Sequence, residues 1–128
     1  MKKEFSKNWK SSKQPRKQRK YLANAPLHIK RKFIKVNLSK DLRKKHEKRN
    51  IVIKKGDTVK IMKGKFKKKQ GKVTSVKIKI GKITVEKIQR KKQDGSNVDI
   101  KLQPSNLQII ELNLEDKKRI KSKTKKEE

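Results

Sequence analysis

The chain has 128 residues, with 43 Lys and Arg against 12 Asp and Glu, which gives a formal net charge of +31. An excess of one sign on this scale favours nucleic acid as the partner, because a polyanion neutralises the self-repulsion of the chain. No apolar stretch approaches the roughly 20 residues of a membrane-spanning helix, and no cysteine is present for disulfides or thiolate metal sites. Composition therefore predicts a cytoplasmic nucleic-acid-binding protein without membrane insertion.

Charge and apolar content divide the chain into three parts. Residues 1–50 carry 19 basic and 3 acidic residues, residues 51–110 carry 17 and 4, and residues 111–128 carry 7 and 5. Nearly all the valine and isoleucine lies in the middle part, in regular patterns. The predicted organisation is a basic N-terminal arm at 1–38, a helix at 39–50, a barrel at 51–112, and a C-terminal helix and tail at 113–128.

The arm and the first helix precede the barrel. Residues 1–20 are a low-complexity basic segment, typical of a chain that is disordered when free. Ser39 is the predicted N-cap of the helix, since Asp41 lies in its first turn and basic residues lie at its end, as the helix dipole prefers. The polar side of this helix is nearly all Lys, Arg and His, which suits contact with a phosphate backbone more than base reading.

Five short runs of alternating apolar residues predict the strands of the middle part. In the second run Val73 is out of phase with Val76, and a one-residue bulge near Thr74 or Ser75 would reconcile them. The "DG" dipeptide at 94–95 is a strong hairpin signal. Short strands with turns at intervals of about 8 to 12 residues indicate a small barrel. The five runs are 57–63, 72–80, 83–90, 97–102 and 106–112.

The C-terminal part predicts a second helix. Asn113 is placed to cap it, and the acidic residues Glu115 and Asp116 precede the basic residues 117–119. This order of acids before bases has a simple explanation in the polarity of the helix dipole. Residues 121–128 form another low-complexity basic segment, which its composition predicts to be disordered when free.

The sequence offers no catalytic site. Its two histidines, His28 and His46, lie 18 residues apart in separate basic segments, and the acidic residues are scattered and mostly adjoin lysines. No glycine-rich phosphate motif follows a strand. We therefore predict no enzyme activity, no cofactor, no metal site and no small-molecule substrate.

Basic residues beside aromatic ones dominate the arm. Four of the five aromatic residues precede residue 34, and they include Tyr21 after "KQPRKQRK" and Phe33 after "HIKRK". Such pairs bind phosphates while the ring stacks on an unpaired base. The alternative is that Tyr21 and Phe33 pack the arm against the barrel, whereas Trp9 has no assigned role. Lysine outnumbers arginine 36 to 7, which favours phosphate contact and recognition of shape over sequence reading.

Residues 54–76, "KKGDTVKIMKGKFKKKQGKVTSV", resemble the KOW motif, in which Gly-Asp opens a strand and a basic loop between glycines leads to Gly-Lys-Val. The motif positions with a structural role are Gly56, Asp57, Gly64, Gly71 and Val73. The flanking segments "SKQPRKQRKYLANAPLHIKRKF", "LSKDLRKKHEKRNIVIKKGD" and "QPSNLQIIELNLEDKKR" are similar to the archaeal and eukaryotic branch of the large-subunit ribosomal protein twenty-four family. The resemblance extends over residues 12–120 in unbroken order.

The resemblance implies a mainly β fold, a small five-stranded SH3-like barrel with a basic arm, a short helix before it and a short C-terminal helix. It implies a structural protein of the large ribosomal subunit, which binds large-subunit rRNA near the polypeptide exit tunnel and helps to assemble the subunit. Neighbouring large-subunit proteins, and nascent-chain factors at the tunnel exit, would be its further partners. The residues expected to contact rRNA are Lys13, Arg16, Lys17, Arg19, Lys20, Tyr21, His28, Lys30, Arg31, Lys32, Lys63, Lys65, Phe66, Lys67, Lys68, Lys69 and Lys72.

The resemblance leaves three alternatives open. The family usually has glycine two residues after the loop aromatic, where this chain has Lys68, so either a positive φ there costs on the order of 1 kcal/mol or the loop takes another path. Phe66 either packs on the barrel and anchors the loop or contacts RNA. The chain as a whole could also be a KOW transcription elongation factor, which normally carries a domain before its KOW unit, or a protein that compacts nucleic acid non-specifically.

Overall fold

The computed structural model describes residues 5–8, 11–116 and 119. These residues contain three short α-helices, one 3-10 turn and eight β-strands. The helices are α1 (Pro15–Asn24), α2 (Leu27–Phe33) and α3 (Lys40–His46), and the 3-10 turn is Pro104–Asn106. The strands are β1 (Lys35–Leu38), β2 (Asn50–Val52), β3 (Thr58–Ile61), β4 (Gln70–Lys77), β5 (Lys82–Val85), β6 (Gln89–Lys91), β7 (Asn97–Asp99) and β8 (Leu107–Glu111).

Six of these strands form one mixed sheet, in the order β2-β1-β8-β3-β4-β5. β1 runs parallel to β8, with Asn37 opposite Gln108 and Leu38 opposite Ile109, and the other neighbouring strands are antiparallel. β6 and β7 form a separate two-stranded hairpin. The fold is mainly β, as predicted, and fits a small SH3-like barrel whose sheet is not closed, since β2 and β5 lie at its two edges.

The core consists of branched aliphatic side chains from the sheet and the segments beside it. Exposed and buried positions alternate in β1, where Val36 and Leu38 are buried, and β3 buries Val59 and Ile61 in the same way. Full burial of one such side chain stabilises the fold by about 1.5–3 kcal/mol. The buried set is Ile34, Val36, Leu38, Ile51, Ile53, Val59, Ile61, Val73, Ile83, Val85, Ile88, Leu107 and Ile109.

Three local signals in the sequence have the structure that they predict. Ser39 caps α3, and its Oγ accepts a hydrogen bond from the Leu42 amide at 3.4 Å. The register between β4 and β5 shifts between Val73 and Ser75, at the position of the predicted bulge. The β6–β7 hairpin turns at the "DG" dipeptide, where Gly95 has a φ of +90°. Each of these features depends on residues that are close in the chain.

The described residues contain eight strands instead of the predicted five. The run at 83–90 is divided into β5 and β6 because the chain turns at Lys87, which has a φ of +62°. β1 occupies residues 35–38, within the predicted arm. β2 begins at residue 50, within the predicted helix, because α3 ends at His46 and Glu47 adopts the left-handed conformation with a φ of +54°.

The C-terminal segment is described only in part. Residues 113–116 are irregular, and the Asn113 Oδ1 accepts a hydrogen bond from the Glu115 amide at 3.2 Å. The Asp116 carboxylate pairs with the Lys54 ammonium at 2.8 Å, which holds this segment against the chain between β2 and β3. Residue 119 is also described, whereas the rest of the predicted helix and the whole predicted tail lie outside the described residues.

Candidate nucleic-acid interface

The loop between β3 and β4, residues 62–69, contains the basic run of the KOW motif. Backbone hydrogen bonds close its ends: the Lys68 amide donates to the Ile61 carbonyl at 2.8 Å, and the Ile61 amide donates to the Lys69 carbonyl at 2.9 Å. Inside the loop, the Lys67 amide donates to the Gly64 carbonyl at 3.2 Å. The backbone hydrogen bonds therefore fix the loop without using its lysine side chains.

Six lysines on and beside this loop are exposed to solvent, and we call them the loop lysines. No acidic residue lies anywhere in the stretch 62–72. Exposed ammonium groups that gather without a carboxylate create a positive potential, and a lysine ammonium is a compact charge that suits a phosphate. The loop lysines are Lys63, Lys65, Lys67, Lys68, Lys69 and Lys72.

Lys68 has a φ of +71°, in the left-handed region. The KOW resemblance implies a glycine at this position, and Lys68 adopts a conformation that glycine reaches more easily. A residue with a Cβ in this conformation costs on the order of 1 kcal/mol. Gly64, near the start of the loop, also has a positive φ, of +96°.

Phe66 anchors the loop to the barrel. Its side chain is partly buried and packs against the hydrophobic core. The Lys69 ammonium lies 5.0 Å from the centroid of the ring, which is a cation–π geometry. Of the two alternatives for this aromatic residue, packing is therefore observed, and contact with RNA stays a prediction.

Gly71 lies on β4 opposite Val59 and allows β5 to approach closely. A Cβ at this position would lie 2.9 Å from the Val85 Cγ1 and 3.0 Å from the Glu86 carbonyl oxygen. A Cβ with contacts this short to a backbone atom would force the strands to move apart. The close approach of β4 and β5 therefore explains why the "GKV" part of the motif has glycine at this position.

Asp57 is fully buried, with 0% of its surface exposed, and its carboxylate connects three segments of the chain. Oδ2 accepts from the Lys54 amide at 3.0 Å, and Oδ1 accepts from the Asn113 amide at 2.8 Å. The Arg119 guanidinium pairs with both carboxylate oxygens. It also donates to the Val52 carbonyl at 3.1 Å and the Asn113 carbonyl at 3.0 Å. The predicted structural role of Asp57 thus has a partner that the sequence did not identify.

The basic residues of the arm lie on two short helices. α1 begins with Pro15, a favourable first residue because its missing N–H needs no partner there, and it includes residues predicted to be disordered when free. No side chain of α1 or α2 is buried. The predicted contact residues are Arg16, Lys17, Arg19, Lys20 and Tyr21 on α1 and His28, Lys30, Arg31 and Lys32 on α2, and Lys13 precedes α1.

The aromatic residues of the arm pack on one another. The Tyr21 ring lies 4.9 Å from the Phe5 ring and 5.8 Å from the Phe33 ring, centroid to centroid, and both pairs are tilted. Such pairs contribute about 0.5–1.5 kcal/mol beyond the area that they bury. The three rings therefore connect the segment before α1 with both helices, an arrangement that the sequence did not predict. Trp9 lies outside the described residues.

The described residues hold no group of three or more His, Asp or Glu side chains that could bind a metal ion. None of the described helices has the length and apolar character needed to cross a membrane. His46, at the end of α3, has a pKa lowered from its usual value by burial and, to a lesser extent, by Lys45 and Lys48. The lowered pKa favours the neutral form of this imidazole.

Comparison with known proteins identifies the family. Residues 12–126 match the family that unites the eukaryotic ribosomal proteins L26 with their archaeal L24 counterparts. The chain belongs to this family. A relative from Methanothrix thermoacetophila, the large ribosomal subunit protein uL24, is 46% identical over 110 residues, which cover 86% of this chain and 95% of the relative. The predicted family and its archaeal and eukaryotic branch are confirmed.

Membership of this family makes the chain a structural, RNA-binding protein of the large subunit of the cytoplasmic ribosome. The family is one of structural proteins and not of enzymes. The alternatives of an elongation factor and of a nucleic-acid-compacting protein gain no support from either match. The individual residues predicted to contact rRNA, and the position near the exit tunnel, stay predictions.

Proposed function

We propose that the chain binds large-subunit rRNA through the loop lysines and the basic side chains of α1 and α2. The β3–β4 loop carries this proposal, because its backbone is fixed by its own hydrogen bonds while its lysines are exposed and no acidic residue occurs in the stretch 62–72. The two helices add exposed cations outside the barrel, which extends the contact surface.

The consequence of this binding is assembly of the subunit. Cations that neutralise phosphates allow RNA segments to approach one another, so a bound protein favours the folded subunit over the open RNA. The family resemblance supports a position near the polypeptide exit tunnel, beside neighbouring large-subunit proteins. That position would also bring nascent-chain factors within reach of the exposed surface.

The salt dependence of binding to large-subunit rRNA tests the proposal. If the chain makes six to ten phosphate contacts, its affinity for rRNA should fall by about 10³–10⁵-fold as the salt concentration rises from about 50 to 200 mM. Replacing Lys65, Lys67 and Lys69 by glutamine should lower the slope of log K against log salt by about 2 to 3. The matched control replaces Lys91, Lys92 and Lys101, which are equally exposed and outside the predicted set. Equal slopes for the two triple variants would contradict the proposed role of the loop.

A further inference from the structure

An open cleft of about 1060 Å³ lies between α2, β4 and the segment 113–116. Its floor contains the buried side chains of Ile34 and Ile53, and β4 contributes the partly buried Val76. On the α2 side, Leu27 lines the cleft and is 54% exposed. The cleft is large for a small-molecule pocket, which usually measures about 300–1,000 Å³, and its aliphatic lining has no covering element among the described residues.

The rim of this cleft differs in charge from the loop lysines. Arg31 and His28 on α2 line the cleft together with the exposed Lys55, and the exposed Glu115 lines it as well. Lys54 and Asp116, also on the rim, pair with each other at 2.8 Å. The rim therefore presents both signs of charge in a molecule with a net charge of +31. None of the loop lysines lines the cleft.

These features favour a protein segment over RNA as the occupant. Single-stranded RNA is commonly bound by aromatic rings that stack on bases, and the described residues that line the cleft include one such ring, His28, but no phenylalanine, tyrosine or tryptophan. A carboxylate on the rim repels phosphates. An apolar centre with a polar rim of mixed charge is, by contrast, the arrangement of protein–protein interfaces.

We propose that this cleft binds a segment of a neighbouring large-subunit protein, with aliphatic side chains on the floor and a carboxylate facing Arg31. A basic side chain of the same segment would face Glu115. This proposal rests on the proposed function, because the neighbouring proteins are those that surround the chain in the subunit. It gives α2 two contacts: Arg31 and His28 line the cleft and would contact the protein segment, whereas Lys30 and Lys32 do not line it and stay in the predicted rRNA set.

Photo-crosslinking in assembled large subunits tests the proposal. The full chain carries a benzophenone amino acid at Leu27, at Leu22 or at Lys67 and is incorporated into subunits in cells. Leu22 is a matched control, because it is a leucine on α1 with 51% exposure that does not line the cleft. We expect Leu27 to crosslink to one protein peptide that contains aliphatic residues and an acidic residue, Leu22 not to crosslink to that peptide, and Lys67 to crosslink to RNA.

Two charge reversals on α2 distinguish protein binding in the cleft from a general effect of net charge on RNA affinity. Arg31→Glu and Lys32→Glu change the net charge equally, and both residues are exposed on α2, but only Arg31 lines the cleft. We expect Arg31→Glu to lower the Leu27 crosslink to the protein by about fivefold relative to Lys32→Glu.

The outcomes distinguish this proposal from the proposed function. Three outcomes in subunits that contain the chain would overturn only the protein-binding cleft. They are a Leu27 crosslink to RNA, no Leu27 crosslink at all, and equal crosslink yields for the two charge reversals. A chain that does not enter large subunits, or a Lys67 position that does not crosslink to RNA, overturns the proposed function.

Discussion

The positive φ of Lys68 allows us to predict how replacing this residue by glycine changes the stability of the protein. Lys68→Gly removes the Cβ that makes a φ of +71° unfavourable, so the free energy of unfolding should rise by about 1 kcal/mol, measured by urea denaturation. Lys67→Gly is the matched control, because Lys67 is not among the residues with positive φ, and it should be destabilising by about 0.5–1 kcal/mol. A Lys68→Gly variant that is less stable than the parent would contradict the conformation of the loop.

The buried carboxylate of Asp57 predicts a large loss of stability. Asp57→Asn leaves the Arg119 guanidinium, which is also buried, without its counter-ion, so the free energy of unfolding should fall by about 3–5 kcal/mol. Glu111→Gln removes an exposed carboxylate and should change stability by no more than about 0.5 kcal/mol. Chemical denaturation of both variants checks this, and equal stabilities would show that the pair does not hold the C-terminal segment.

The partner of Asp57 could not be predicted from local sequence. Asp57 and Arg119 are 62 residues apart. Arg119 lies in a basic run that follows two acidic residues, and the polarity of a helix dipole already explains that order. A buried aspartate does require a cation, but the chain has 7 arginines and 36 lysines that could supply it. The choice is made by the tertiary structure, which brings Asn113 and Arg119 to the same carboxylate.

The β3–β4 loop gives a test of the two roles of Phe66. Phe66→Leu retains an apolar side chain for packing but removes the ring, so it should keep the affinity for rRNA within about twofold if the ring only anchors the loop. A ring that stacks on a base would lose about 1–3 kcal/mol of binding in the same variant. Binding measured at one fixed salt concentration decides between them. Phe66→Ala is the control that removes the packing in either case.

Elements with local signals were predictable, and those formed by distant partners were not. The N-cap at Ser39, the bulge near Ser75 and the hairpin at Gly95 follow from neighbouring residues, and all are present. β1 was missed because its four residues lie in a basic segment and pair in parallel with β8, about 70 residues further along the chain. The end of α3 was missed because Glu47 adopts a left-handed conformation that no glycine marks.

The net charge of the whole molecule predicts opposite effects of salt on folding and on binding. The free chain has a charge of +31, and its self-repulsion is screened as the salt concentration rises. We therefore expect the Tm of the free protein to rise between about 50 and 200 mM salt, the same range over which rRNA affinity falls. Calorimetry in sodium chloride and in sodium fluoride, which share the cation and differ in the anion, separates screening from binding of a specific anion to the basic chain. A Tm that falls with salt would contradict the role of self-repulsion.

The basic surface is the part of the candidate site that sequence predicted best. The basic run predicts exposed lysines, which the structure shows, and Phe66 within the run packs against the core. The mixed-charge cleft beside α2 was not predictable, because its walls come from α2, β4 and the segment 113–116, which are distant in sequence. The molecule thus has one surface with charges of a single sign, which we propose binds phosphates, and a second surface with charges of both signs.

Mapping of RNA–protein crosslinks on intact large subunits, washed at high salt, tests the central claim most directly. If the chain binds rRNA through the loop lysines and the two helices, peptides from residues 63–72 and from residues 13–32 should carry crosslinked nucleotides. Peptides from the β6–β7 hairpin, which is outside the predicted set, provide the comparison within the same sample. Absence of the chain from the washed subunits, or crosslinks confined to the hairpin, would contradict the claim.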